Sequence, residues 1–299
     1  MAKHRIVVSA ENNPYMAWQC KLFYFSCVTR LQQQPTIIVH DTGTPWCSGF
    51  YDLVKAGCAV QTAPNYRTAA NGDDLPGRNH PGSLIKAAEI CGGQDEFIAL
   101  CDPDLIFVRG TDFLDCLSAE FSSFMDYDRE LVQEARLRFG IQPQELDAKK
   151  EKLGVAVPYV VPTTLASEFG RTWLQAIDVF PSRDWEKAQA LIRPPGSPVY
   201  ERRHVVMYAF GLTVVKLGLE IEVTHLVDHN YWPDEPVRAP IIHYAYGDQR
   251  WDKRTYATAE QGLTVWNPQA QAAEGTIMSE VFCQLRQAGE FYREPYFPK

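Results

Sequence analysis

Three short runs, 5–10, 36–40 and 97–101, are apolar along nearly their whole length. A run without a polar face is a strand covered on both sides, the pattern of a parallel sheet. Residues from Tyr15 to about Thr29 lie between the first two runs, with Met16, Leu22, Phe23 and Cys27 at helical spacing. Glu11-Asn12-Asn13-Pro14 precedes them and supplies a cap and an early helical proline. Residues 59–62 form a further short strand, and a helix over 83–90 leads into the run at Phe97. Strands alternating with helices require crossover connections. The fold class expected is α/β, with a mixed, mostly parallel central sheet flanked by helices.

The run at 97–101 ends in Asp102-Pro103-Asp104, and a second apolar run, 105–108, follows at once. Pro103 has no N–H and cannot continue a central ladder, so the strand ends near Asp102. Two carboxylates then stand at the mouth of the sheet, where ligands of open α/β folds bind. They repel each other unless a cation or hydrogen-bond donors lie between them. Oxygen ligands of this kind suit Mn²⁺ or Mg²⁺. The plainer reading, an Asp-Pro turn that closes the strand, rests on the same residues.

The later chain offers a partner for the pair. Residues 239–248 carry an apolar strand ending in His243, followed by Tyr244-Ala245-Tyr246-Gly247. An imidazole there would complete an Asp102, Asp104, His243 metal set. Arg78, Asn79 and His80 stand at a helix entrance, where free backbone N–H groups favour phosphate. Arg193, in a proline-rich connection over 181–198, is a second candidate phosphate contact. Trp18 and Gln19 sit close to the end of the first strand, although helix-to-sheet packing is the preferred role for Trp18. Polar groups mix with aromatic surface over 227–235, a composition suited to a sugar or peptide acceptor. Asp228 and Asp234 are the acceptor contacts nominated there. Residues 155–161 are strand-like, and Pro158 and Pro162 assign them to an edge or an irregular position. Residues 129–153 form a charged stretch, read as a solvated helical hairpin with a lid or partner surface as the alternative, 165–177 an amphipathic helix and 204–217 a buried one. A final helix lies in the tail.

The chain has 299 residues, enough for one sizeable core, and a formal charge of −8, which argues against general nucleic-acid binding. No run of about 18 apolar residues exists, so no membrane insertion is expected. The eight cysteines are dispersed among apolar neighbours without close pairs. Free buried thiols in a soluble, reducing, cytoplasmic setting are the expectation.

Four blocks carry a family resemblance: Asn13-Pro14-Tyr15 through Trp18-Gln19; Asn79-His80-Pro81; Phe97 through Asp104; and Met207-Tyr208-Ala209 followed by Ile241-Ile242-His243-Tyr244-Ala245-Tyr246-Gly247. In these the chain resembles the GT-A glycosyltransferases, and among them the hydroxyproline O-arabinosyltransferases and peptidyl-serine galactosyltransferases of plants and algae. The resemblance implies a Rossmann-like GT-A domain over 1–299. Its nucleotide-sugar half is 1–110 and its acceptor half 111–248, with a C-terminal extension, 249–299, packed on the body. It implies metal-dependent transfer of a galactose- or arabinose-like sugar from a UDP-sugar to a hydroxyl of a glycan, peptide or small molecule, with retention of configuration. Carried over from the family, Asp102 and Asp104 would meet the metal and the donor and His243 the metal; Asn12, Trp18, Gln19, Arg78, Asn79 and His80 are nominated for the nucleotide side from their places in the chain. His80 stands where relatives have lysine, and Val206 where they have an acid. Two alternatives remain open, a metal-dependent nucleotidyltransferase and a non-catalytic nucleotide- or carbohydrate-binding protein.

Overall fold

Strand β1 (His4–Glu11) is built from β-branched residues, and Ile6, Val7 and Val8 are all buried. In the computed structural model, which describes residues 3–70, 72–91, 96–123, 125–180, 204–245 and 247–293, nine further strands follow. They are β2 (Thr36–His40), β3 (Ala59–Ala63), β4 (Phe97–Cys101), β5 (Leu105–Phe107), β6 (Ser118–Phe121), β7 (Val155–Pro162), β8 (Glu222–Thr224), β9 (Val227–His229) and β10 (Ile241–His243). The helices that matter below are α1 (Pro14–Ser26), α2 (Ser48–Lys55), α3 (Asn79–Cys91), α4 (Glu130–Arg138), α5 (Pro143–Asp147), α6 (Thr163–Asp178), α7 (Val205–Lys216), α8 (Ala259–Thr264) and α9 (Ile277–Arg293). Seven strands form one sheet of order β3-β2-β1-β4-β7-β6-β8 and three form another, β5-β10-β9. The larger sheet is mixed and mostly parallel, as expected: β1 and β2 are parallel, as are β6 and β8, while β7 opposes both its neighbours.

The chain groups into two compact units made of interleaved segments. One comprises Met1–Arg5, Ala63–Leu100 and Leu114–Thr224. Its core gathers Tyr159, Phe169, Trp173 and Phe210, with Tyr159 and Phe210 stacked at 4.3 Å. Each such side chain contributes roughly 1.5–3 kcal/mol by leaving water. The Trp173 indole N–H donates to the Val206 carbonyl at 2.8 Å, tying α6 to α7. Val206 itself is buried, and its methyls lie where a side chain at Gly77 would go. The charged segment 129–153 carries α4 and α5, which bury Leu131, Val132, Ala135 and Leu146.

Of the two positions open to residues 155–161, an edge or an irregular one, the structure has the irregular one. Strand β7 is interior, between β4 and β6, although it contains Pro158. Its pairing with β6 jumps from Ala119↔Tyr159 to Glu120↔Ala156, so a bulge takes Pro158 out of the ladder that its missing N–H would break. Of the two roles open to it, proline here marks the bulge.

The other unit comprises Ile6–Thr62, Cys101–Phe113 and His225–Lys299. The Asn13 side chain caps α1 by accepting the Met16 N–H at 2.8 Å, with Pro14 in the first turn. Helix α1 is buried over most of its surface, including Trp18, Cys20, Leu22 and Phe23. Helix α9 packs on it, where the Tyr292 hydroxyl donates to the Lys21 carbonyl at 2.9 Å. The Gln284 amide reaches the Phe107 carbonyl at 3.3 Å and joins α9 to β5. No described helix is long and apolar enough to cross a membrane.

Candidate metal centre

Strand β4 ends at Cys101, and Asp102, Pro103 and Asp104 make the turn into β5. Strand β10 lies antiparallel to β5 with His243 opposite Leu105, and the Tyr244 N–H donates to the Asp104 carbonyl at 3.0 Å. This register sets the His243 ring against the second acid, with Nε2 3.2 Å from Asp104 Oδ2. One ligand atom each from Asp102, Asp104 and His243 lies within 4.8 Å of the others. The ligands of one octahedral cation at about 2.1 Å lie roughly 3 to 4.2 Å apart, so small side-chain adjustments close the set. Two carboxylates and an imidazole form a mixed oxygen and nitrogen donor set that fits Mn²⁺ or Mg²⁺.

Tyr244 braces the turn. Its ring is fully buried and its hydroxyl donates to the Pro103 carbonyl at 3.3 Å, between the two acids. Strand β9 adds His229, paired in register with His243, the two rings 5.3 Å apart. Burial, helped by the neighbouring His243, lowers the His229 imidazole to about 4, so it is neutral at ordinary pH. Its Nδ1 is buried without a hydrogen-bond partner.

Lys253 was not anticipated. It opens a 3₁₀ turn, Lys253–Tyr256, that the Asp252 carboxylate caps by accepting the Arg254 N–H at 2.8 Å. Its ammonium donates to Asp104 Oδ2, and both side chains are nine-tenths buried. Burial pushes the Asp104 carboxyl up, but Lys253 and His243 outweigh it and hold the group well below the usual carboxylate range. The donor that two adjacent acids require is therefore supplied by the chain itself. Sequence spacing carried no sign that residue 253 returns to residue 104.

The other nominated residues have definite places. Asn12 organises the loop after β2, donating to the Thr44 and Pro45 carbonyls and accepting the Cys47 N–H at 2.9 Å. Trp18 is buried, as its packing role required, and its indole N–H donates to the Tyr256 carbonyl at 2.9 Å. Gln19 donates to the Tyr15 carbonyl. Asp228 accepts the Arg238 and Ala239 N–H groups, and Asp234 pairs with Arg250. In the other unit Arg78 donates to the Tyr66 and Thr68 carbonyls and grips Asp178 with two bonds of 2.7 and 2.8 Å. Asn79 accepts the Tyr66 N–H, and His80 lies 2.9 Å from the Gly77 carbonyl. Arg193 lies outside the described residues, as does Tyr246.

A cavity of about 550 Å³ in the unit that holds the acids is lined by Arg250, Trp251, Tyr256, Leu263, Thr264, Asn267, Gln269 and Ala270. The Trp251 ring packs against Tyr244, and its indole N–H is buried without a partner. Aromatic walls with a few amide and hydroxyl groups suit a hydroxyl-rich ligand. Comparison of the sequence with protein-family models gives no match, and comparison with curated proteins gives none.

Proposed function

We propose that the chain is a metal-dependent glycosyltransferase of GT-A type, moving a sugar from a UDP-sugar to a hydroxyl acceptor with retention of configuration. The observation that carries the reading is the convergence of Asp102, Asp104 and His243 at the end of a sheet strand. These three residues would hold Mn²⁺ or Mg²⁺. A divalent cation there supplies charge to balance a departing nucleoside diphosphate. Tyr244 fixes the acidic turn through the Pro103 carbonyl, and neutral His229 supports His243 from the adjacent strand without adding a competing charge. The cavity walled by Trp251 and Tyr256 is where we assign the acceptor, with Asp234 acting through its pair with Arg250. No side chain is assigned as a covalent nucleophile.

A second reading, a nucleotide- or carbohydrate-binding protein without turnover, is favoured by the ion pair of Lys253 with Asp104, which satisfies the buried acid without a metal.

Calorimetry of UDP with and without Mn²⁺, on the wild type and Asp102→Asn, separates the two. Asp102→Asn leaves the Lys253–Asp104 pair in place, so loss of binding cannot be ascribed to an orphaned buried charge. Manganese-dependent UDP binding weakened at least tenfold by the substitution, with UDP released from a UDP-sugar when an acceptor is present, is expected. UDP binding indifferent to both metal and Asp102 would sink the transferase reading.

A further inference from the structure

We infer that Lys253 is an exchangeable counter-ion, holding the cation position of the acidic turn and leaving it when a divalent metal enters. The inference rests on the metal reading above. Lys253 donates to Oδ2 of Asp104, the same oxygen that faces His243 Nε2 at 3.2 Å. A metal bound through that oxygen would meet the ammonium in its own coordination sphere, and two cations at that separation repel strongly where burial excludes water. Asp104 can serve one of them at a time.

The residue type suits exchange. A lysine presents one point charge on a four-carbon stem, whereas an arginine fork would lock the carboxylate in two parallel bonds. Lys253 also sits on a single 3₁₀ turn and not within a long element. Until a metal enters, the ammonium is the counter-ion seated against the buried Asp104 carboxylate. The metal must therefore displace a bound charge as well as shed water, so Lys253 sets the affinity of the site.

The test is Mn²⁺ titration by calorimetry on chelator-stripped wild type and Lys253→Met, which keeps the stem and removes the charge. The variant is expected to bind at least tenfold more tightly. Equal or weaker binding by the variant overturns the exchange while leaving the metal reading intact. Binding of Mn²⁺ to neither protein overturns the metal reading, and the exchange with it. A second measurement needs no variant. Acetylation of Lys253 in the wild type, followed by peptide mass spectrometry, is expected to rise severalfold at saturating Mn²⁺, with exposed Lys55 as the unchanged reference. Unchanged labelling of Lys253 in metal-saturated protein overturns the exchange, whether or not the variant folds.

Discussion

Asp104 leaves water on folding and stays ionised only because Lys253 and His243 face it. Removing one member of such a pair strands the other, at a cost of about 3 kcal/mol or more. Asp104→Asn should therefore lower the metal-free melting midpoint by several degrees. The double variant Asp104→Asn, Lys253→Met should recover most of that loss, since neither charge is then left buried. A double variant no more stable than Asp104→Asn would mean that the pair is not the source of the cost. His229 offers a different check. The folded protein holds its imidazole at about 4 against an ordinary 6.5, with burial and His243 lowering it and Asp228 and Asp104 opposing them. Between those values the unfolded chain carries a proton that the folded chain lacks, so stability rises with pH through this window and falls on acidification. In chelator, His229→Phe should remove on the order of 2–3 kcal/mol of that slope between pH 6.5 and 4. Denaturant melts of both proteins across the window measure it, and parallel curves would refute it.

At the scale of elements, the site depends on the ladder between β5 and β10, because the register that pairs His243 with Leu105 is what brings the imidazole to Asp104. A slip by one residue would turn His243 to the opposite face. In the other unit the close packing of α3 on α6 depends on Gly170, where a Cβ would come within 2.9 Å of the Pro81 carbonyl and 2.7 Å of Ile85. Alanine gains helix propensity there, at about 1 kcal/mol, but must push backbone aside. A net loss of roughly 1–2 kcal/mol is expected for Gly170→Ala, read as a lower denaturant midpoint at unchanged m-value. A midpoint at or above the wild type would show that the two helices can part without cost. Elements with a strong local signal were readable before the structure. The apolar runs of β1, β2 and β4 and the cap at Asn13 all speak through near neighbours in sequence. Pro158 left an edge and an irregular position both open, because which of the two a proline takes depends on the strands that come to flank it.

Across the whole molecule the same division holds. The acid pair and His243 could be nominated from the residues alone, because the chemistry of adjacent carboxylates asks for a partner. Which partner answers is a tertiary fact: Lys253 lies 149 residues from Asp104 and nothing in the local pattern of either announces it. Thiol chemistry reads out the global packing directly. All eight cysteines are thiols, with Cys20, Cys27, Cys58, Cys91 and Cys101 buried and Cys47, Cys116 and Cys283 half-buried. Burial raises the Cys20, Cys27 and Cys101 thiols well above their ordinary range and Cys58 to about 12, which leaves almost no thiolate at pH 8. Since the thiolate is the reactive form, access and ionisation act in the same direction. A chromogenic disulfide reagent should therefore titrate no more than three thiols in the native protein and all eight in denaturant. The slow five should react at the rate of opening of the fold, independent of reagent concentration once reagent is in excess. Fewer than eight in denaturant would reveal a disulfide, and more than three fast thiols would show that the buried cysteines sit in a looser core than the one described.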